Sequence, residues 1–210
     1  MDSRKRILVI SSKRPFPVQD GASIRTSQMI RMLSQIFEVD LVYTCNPYKT
    51  FADLTELRCF CRQVSEFLEP KWKCILRALL GFFKSRPLQC SYFYSPRMMS
   101  YIQEHLSLYD YVFCNNIRTV PYVDGSKCNK IIDYVDAISM NYIGASLKAH
   151  WIWRLVYKFE ANRLISYENK VLKSFDKFII ISDVDRQFIL RHADLEISNK
   201  HIEVIGNSVD

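Results

Sequence analysis

The fold class is decided near the start of the chain, where residues 6–43 read RILVISSKRPFPVQDGASIRTSQMIRMLSQIFEVDLVY. An apolar run at residues 7–11 ends in polar residues and predicts a buried strand. A loop with two prolines and a glycine follows, and apolar residues then recur at helical spacing up to residue 36. A second apolar run at residues 39–43 completes a strand-loop-helix-strand unit.

The same alternation continues along the rest of the chain. Further apolar runs predict strands at residues 64–68, 111–114, 130–133, 177–182 and 202–205. Strands that are apolar throughout and separated by helices indicate a parallel sheet that is covered on both faces. We therefore expect an α/β fold with a doubly wound, mostly parallel, Rossmann-like sheet, which binds ligands at the carboxyl ends of its strands.

Composition limits the class of partner. The length of 210 residues and the apolar content of 49% are sufficient for one domain with a sizeable core. The net charge of +7 indicates an anionic partner, which could be nucleic acid, acidic lipid headgroups or a phosphorylated substrate. No nucleic-acid motif and no basic run with interleaved aromatics is present, so we do not expect nucleic acid.

The cysteines and histidines predict no metal site. Seven cysteines are an odd number and form no CxxC pair, and the four histidines show no ligand spacing. We interpret the cysteines as reduced thiols of a cytoplasmic protein. The basic N-terminus is followed by an apolar run too short for a signal peptide or a membrane span.

The loop after the first strand is the first candidate ligand site. Gly21 allows a ligand to approach the backbone, and the following helix begins with free N–H groups. Arg25 lies about one turn into that helix, where a planar cation suits phosphate. The loop is neither a dinucleotide fingerprint nor a P-loop. The alternative is a plain turn in which Asp20 or Ser23 caps the helix.

A second candidate is a membrane-facing segment at residues 70–87, which contains no acidic residue. Its cations surround a tryptophan and two phenylalanines, a composition that suits a membrane interface. The candidate residues are Lys71, Trp72, Lys73, Arg77, Phe82, Phe83 and Lys84. The alternative is a core helix with solvated lysines at its ends. We expect the aromatic-rich helix at residues 151–175 to be a long packing helix.

Five segments resemble one family in the same order. Besides residues 6–43, they are LRALLGFFKSRPLQCSYFYSPRM, IIDYVDAISMNY, RLISYENKVLKSFDKFIIISDVDRQFI and IEVIGNSVD. Together they are similar to the N-terminal domain of family 4 glycosyltransferases with the GT-B fold, especially the exopolysaccharide-type sugar transferases. The resemblance covers nearly the whole chain.

The resemblance implies that residues 1–210 are the acceptor-binding half of a retaining hexosyl- or other glycosyltransferase. Such an enzyme moves a sugar from a nucleotide-sugar to a glycan or lipid-linked acceptor in surface polysaccharide synthesis, in the cytoplasm or peripherally at the inner membrane face. The C-terminal donor-binding domain, with its Glu-x7-Glu pair, is absent from the sequence, so we expect no cofactor on this domain alone and no turnover. Glu160 and Glu168 have that spacing by coincidence.

The resemblance also implies roles for single residues. The loop of Asp20, Gly21, Ala22 and Arg25 corresponds to the family's loop that faces the donor phosphates. Asp133 and Asp136 correspond to a DxxD stretch beside the reacting sugar, where Asp136 orients the substrate or stabilises charge. The alternative for Asp136 is a helix N-cap for the segment that begins at Ala137.

The remaining implied positions lie at two other places. We expect Asn115, Asn116 and Ser182 on the acceptor side, although Ser182 is also suited to cap a helix that starts near Asp183. Asn207 and Ser208 correspond to the interdomain hinge, and Ser208 replaces the family's usual glycine. A different class of function also stays open, a non-catalytic phosphate- or nucleotide-binding α/β interaction module.

Overall fold

The protein contains a parallel sheet flanked by helices in the computed structural model, which describes residues 4–18, 20–47, 55–84 and 86–207. Within these ranges the sheet has seven strands in the order β3-β2-β1-β4-β5-β6-β7, and every neighbouring pair is parallel. The strands are β1 (Arg6–Ser11), β2 (Glu38–Cys45), β3 (Gln63–Leu68), β4 (Tyr111–Asn115), β5 (Asn129–Asp133), β6 (Lys177–Ile180) and β7 (Glu203–Val204).

Helices connect the strands. They are α1 (Gly21–Ile36), α2 (Thr55–Phe60), α3 (Lys71–Gly81), α4 (Leu88–Tyr92), α5 (Pro96–His105), α6 (Ile138–Lys148), α7 (Trp151–Ser174) and α8 (Asp183–Arg191). Short 3₁₀ turns occur at Leu106–Leu108 and Val120–Tyr122. No helix in the described ranges is both long and apolar enough to span a bilayer.

The predicted fold class is confirmed. Each apolar run of the sequence corresponds to a strand, and the boundaries differ by a few residues. The sixth strand ends at Ile180 rather than at Ser182, because Ser182 turns to cap α8. The apolar residues Leu57 and Phe60 also predict a helix before the third strand, and its predicted start at Ala52 and Leu54 lies outside the described residues.

The core has two layers because β1 is buried on both faces. Leu8 and Ile10 pack into one cluster, which includes Val112 of β4, and Ile7 and Val9 pack into a second cluster, which includes Ile30 of α1. Side chains alternate between the two faces of a strand, so the continuous apolar run of β1 supplies both layers.

The strand order reverses direction between β1 and β4. In a doubly wound sheet this switch point opens a crevice at the carboxyl ends of the strands. The chain leaves the carboxyl edge after β3 into α3 and α4, and after β5 into α6 and α7. Both helix pairs therefore begin at the edge of the sheet where the crevice lies.

Candidate functional site

A cavity of about 320 Å³ and a smaller pocket lie at the carboxyl edge, and they share part of their walls. The smaller pocket is at the switch point, between the ends of β1 and β4 and the N-terminus of α1. The cavity extends from there toward α3 and α4. The shared wall is formed by Ser12, Lys13, Arg14 and Ser23.

The loop before α1 ends in a capping box. The carboxylate of Asp20 accepts a hydrogen bond from the Ser23 backbone N–H at 2.8 Å, and the Ser23 hydroxyl accepts one from the Asp20 N–H at 2.9 Å. The Ser23 N–H holds the pKa of Asp20 below its ordinary value. The predicted alternative of an Asp20 cap is therefore confirmed. A methyl group built on Gly21 would meet nothing within 4 Å, so the space before the helix is open.

Arg25 does not face that open space. Its guanidinium is fully buried and forms a bidentate pair with Asp133, with Nε at 2.6 Å and Nη2 at 2.9 Å from the carboxylate oxygens. Its Nη1 donates to the carbonyl of Ile205 at 2.6 Å and to Oδ1 of Asn207 at 3.4 Å. Arg25 thus connects α1, β5 and the segment after β7.

Two predicted roles are corrected by this arrangement. Arg25 was expected to aim its cation at a phosphate and Asp133 to stand beside the reacting sugar, but both side chains are 0% exposed and bind each other. Burial raises the pKa of Asp133, and the hydrogen bonds from Arg25 oppose that shift. In this structure the pair is part of the interior. The hinge prediction at Ser208 lies outside the described residues.

Arg118 occupies the place at the pocket that Arg25 was expected to fill. Its Nε donates to the side chain of Gln89 at 2.8 Å, and its guanidinium lies 4.6 Å from the ring centre of Phe93. Burial lowers the pKa of Arg118, and Asp136 opposes that shift. Among the described residues, no carboxylate lies within ion-pair distance of its guanidinium. Arg118 is therefore a partly desolvated cation at the pocket wall.

The two asparagines after β4 line the same pocket. Asn115 donates from Nδ2 to the hydroxyl of Thr26 at 2.6 Å, but its buried Oδ1 has no partner in the described part of the chain. Asn116 adopts a positive φ of 66° and accepts the backbone N–H of Arg118 at 2.9 Å. This conformation, which asparagine tolerates better than most residues, aims the chain toward the pocket.

Asp136 and Ser182 lie farther along the carboxyl edge and do not line either pocket. Asp136 accepts a hydrogen bond from Asn141 at 2.6 Å, and burial raises its pKa. The N-cap alternative for Asp136 is wrong, because the cap position of α6 is Ala137 and no side chain caps it. Ser182 caps α8 by accepting the backbone N–H of Asp185 at 3.2 Å, as predicted.

Helix α3 carries the predicted membrane-facing residues. Only Cys74 and Gly81 in this helix are buried, so the alternative of a core helix is wrong. Trp72 is 64% exposed, and Phe83, just after the helix, is 89% exposed. Five of the candidate residues lie within α3 or its cap, and the other two directly follow it. They are Lys71, Trp72, Lys73, Arg77 and Phe82, then Phe83 and Lys84.

The sequence did not single out two charged residues. Arg118 lies three residues after β4, and the rule that ligands bind at the carboxyl ends of strands could have indicated it. Glu168 carried no such signal. It is buried in α7, it accepts hydrogen bonds from the N–H and hydroxyl of Ser139 at 3.2 and 2.6 Å, and burial raises its pKa to about 7.

No metal-binding cluster of three or more histidine, cysteine or acidic side chains occurs in the described ranges. All seven cysteines are free thiols. Burial raises the pKa of the Cys90 and Cys114 thiols to about 12, which keeps them protonated and unreactive. These two cysteines are core residues.

Comparisons with known proteins identify no relative of this chain. No protein-family model and no curated protein matches the sequence. Among solved structures, the chain is similar to the crystal structure of the FMN-dependent cysteine decarboxylase TvaF from thioviridamide biosynthesis. The match has 11% sequence identity and a TM-score of 0.38, and it covers 89% of this chain and 96% of that one. A likeness this low carries no argument about ligand or activity.

Proposed function

We propose that this chain is the acceptor-binding half of a retaining glycosyltransferase that uses a nucleotide-sugar donor. The observation that supports the proposal best is the crevice at the switch point, where Arg118 has no carboxylate partner among the described residues and Asn115 has an unpaired buried oxygen. The proposed reaction, sugar transfer from a nucleotide-sugar, rests on the resemblance of five sequence segments, in the same order, to family 4 glycosyltransferases. A second domain, which supplies the donor site, is part of the proposal.

The crevice has the chemistry to hold a phosphorylated glycan acceptor. A guanidinium presents a rigid fork of donors that suits a phosphate group. Asn115 lines the smaller pocket, and a side-chain amide is a hydrogen-bond partner that suits a sugar hydroxyl. The adjoining cavity of about 320 Å³ is in the range of small-ligand sites, and aromatic rings in its wall give sugars an apolar face to pack on. Those rings are Phe16, Tyr92 and Phe93.

In this proposal the acceptor half binds and orients, and the donor half activates the leaving group. The acceptor hydroxyl oxygen forms the new bond to the sugar carbon as the bond from that carbon to the nucleotide diphosphate breaks, and the hydroxyl proton passes to the departing diphosphate oxygen. Asp136 orients the substrate or stabilises positive charge, and no side chain of the chain acts as a conventional general base. Arg25 and Asp133 have no direct part, because they hold each other in the interior.

The test is a transfer assay with the chain joined to any coding sequence that the gene continues with beyond Asp210, which we call the extended protein. Labelled nucleotide-sugars are supplied with lipid and glycan extracts as acceptors, and incorporation of label is measured. We expect Arg118→Met to raise the acceptor KM about tenfold to a hundredfold, since it removes a charge-assisted hydrogen bond. The matched control is Arg97→Met, an exposed arginine on α5. Absence of transfer from every nucleotide-sugar contradicts the proposal.

A non-catalytic phosphate- or nucleotide-binding module is the second candidate, and Arg118 favours it as well, because no carboxylate among the described residues pairs with it. Calorimetric titration of the 210-residue chain with inorganic phosphate and with nucleotide diphosphates separates the two functions. The glycosyltransferase proposal predicts weak nucleotide binding by this chain alone. Tight nucleotide binding together with no transfer by the extended protein favours the module.

A further inference from the structure

The first part of α7 contacts α6 through Tyr157 and Tyr142, but unlike the rest of this predicted packing helix it buries no residue. All buried residues of α7 lie at or after Glu160, whereas none of residues 151–159 is buried. A helix of 24 residues is about 36 Å long, and the four-residue strand β6 that follows is only about 13 Å long. The N-terminal part of α7 therefore projects beyond the carboxyl edge of the sheet.

This projecting part of α7 adjoins the exposed face of α3. The rings of Phe82 and Phe159 are 5.3 Å apart, centre to centre. Arg163 of α7 donates to the backbone carbonyls of Gly81, Lys84 and Arg86. These contacts, together with a hydrogen bond from the Leu88 N–H to the carboxylate of Glu160, hold the two helices as one unit.

Helix α3, the end of α6 and the first part of α7 carry a large set of exposed apolar side chains, which we call the docking surface. Its apolar members are all about half exposed or more, and exposed apolar groups in this number mark an interaction site. They are Trp72, Ile75, Leu76, Leu79, Leu80, Phe82, Phe83, Leu147, Trp151, Ile152, Trp153, Leu155 and Phe159.

The charges around the docking surface have one sign. Residues 70–87 and 145–159 contain no aspartate or glutamate. Their cations are Lys71, Lys73, Arg77, Lys84, Arg86, Lys148, Arg154 and Lys158. Of these, Arg77 pairs with Glu69, which lies outside both segments. Tryptophan and phenylalanine amid lysine and arginine is the composition that favours the interface of an anionic bilayer.

We propose that α3 and the projecting part of α7 together dock the protein on an anionic membrane surface. A second copy of the chain fits this surface less well, because it would place a cluster of cations against an identical cluster. No described helix is suited to cross the bilayer, so the proposed contact is interfacial. The proposal does not depend on sugar transfer. It does place the cavity beside the membrane, since Lys71 and Cys74 of α3 line that cavity.

Tryptophan fluorescence gives a direct test, because all three tryptophans of the chain, Trp72, Trp151 and Trp153, lie on the docking surface. The protein is titrated with vesicles of equal parts phosphatidylglycerol and phosphatidylcholine, and separately with phosphatidylcholine alone. We expect the emission maximum to move to shorter wavelength, and the protein to sediment, with the anionic vesicles. No shift and no sedimentation with anionic vesicles overturns the proposal. Self-association that gives the same shift without lipid also overturns it, in favour of a second copy.

Charge reversal then locates the contact. The variant Lys148→Glu, Arg154→Glu, Lys158→Glu changes three exposed cations. The first is the last residue of α6, and the other two lie in the projecting part of α7. We expect it to lower the vesicle partition coefficient about a hundredfold or more, since each cation near an anionic surface contributes about 1 kcal/mol.

The matched control is Lys5→Glu, Lys127→Glu, Lys177→Glu, which makes the same change in net charge. These exposed lysines lie at or just before the amino ends of β1, β5 and β6, at the opposite edge of the sheet. They should change partitioning by less than about threefold, since charges beyond a Debye length are screened. Equal losses in the two variants overturn the assignment of this surface and indicate a non-specific effect of net charge.

Discussion

Two arginines at the carboxyl edge of the sheet have opposite surroundings. Arg25 uses its donors within the protein, on Asp133, Ile205 and Asn207. Arg118 has an amide and an aromatic ring as neighbours and no carboxylate within ion-pair distance in the described residues. Arg25 belongs to a buried ion pair, whereas Arg118 is a cation that can still bind an anionic partner.

This difference separates structure from candidate function. A buried charge whose partner is present belongs to the fold, and its removal leaves the partner uncompensated. A partly desolvated cation without a counter-charge raises the free energy of the folded protein, and a bound anion can remove that penalty. The choice of Arg118 over Arg25 as the anion ligand follows from their partners and not from their positions in the sequence.

The largest effect is expected from breaking the buried pair. Arg25→Met leaves the Asp133 carboxylate buried without its cation, so the free energy of unfolding should fall by about 3 to 5 kcal/mol. Urea denaturation measures this loss in the free energy of unfolding. The control is Arg31→Met on the same helix, whose pair with Glu56 is about half exposed and should contribute less than about 1 kcal/mol. Similar losses in the two variants would remove the contrast between buried and exposed pairs.

The next effect concerns Glu168, a buried carboxylate that has hydroxyl and N–H donors but no cation in its hydrogen bonds. Burial raises its folded pKa to about 7 from an ordinary value of 4.5, so the folded state binds its proton more tightly than the unfolded state. Stability should therefore fall as the pH rises from about 4.5 to 7, by up to about 3 kcal/mol. Asp133 differs from Glu168 because the hydrogen bonds from Arg25 oppose the rise in its pKa that burial causes.

Glu168→Gln removes this titration. The variant should match the parent at pH 4.5 and exceed its stability at pH 8 by about 1 to 3 kcal/mol, as followed by urea denaturation at several pH values. The control is Glu104→Gln on α5, which is exposed and should leave the pH profile unchanged. A profile for Glu168→Gln that parallels the parent would show that the pKa of this carboxylate is the same in the folded and unfolded states, against the expected rise.

A smaller effect is expected at the N-terminus of the helix that carries Arg25. Asp20→Ala removes the cap of α1 and should cost about 1 kcal/mol of stability. The capping box is reciprocal, so the loss in the double variant with Ser23→Ala should be less than the sum of the single losses. Additive losses, measured by thermal or urea unfolding, would contradict the reciprocal bonding.

The smallest stability effect should come from Arg118, and it sharpens the comparison most. Arg118→Met removes a cation whose desolvation has no compensating carboxylate, so the free energy of unfolding should change by less than about 1 kcal/mol in either direction. Urea denaturation beside Arg25→Met gives the direct contrast. A loss as large as that of Arg25→Met would make Arg118 a structural residue and remove the support for an anion site.

The sheet could be predicted from the sequence because each strand carries its own signal. The apolar runs of β1, β4 and β6 are local patterns, and so is the cap that Ser182 forms before α8. Asp20 shows the same rule, because its partner Ser23 is three residues away. Where the residues that form a contact are close together in the chain, the sequence pattern predicts the structure correctly.

The candidate site could be predicted only in part, because its decisive contacts join distant residues. The Asp133 partner of Arg25 lies 108 residues away, and no periodicity indicates it. The sequence predicts residues 151–175 as one packing helix, and only the burial of its residues and the shortness of β6 reveal that its first part extends past the sheet. The sequence predicted that the site lies at the carboxyl edge of the sheet. It did not predict which of the described side chains there lack a partner.

The bridge made by Arg25 has a consequence for synthesis. Arg25 emerges from the ribosome 108 residues before Asp133 and 180 residues before Ile205. At usual elongation rates the second interval is on the order of ten seconds or more. During that time the inward face of α1 carries a charge that cannot be buried without its partners. We therefore expect α1 to be among the last helices of this domain to reach its final packing, and a ribosome that stalls before residue 205 to hold a nascent chain in which this helix is still accessible to chaperones and proteases.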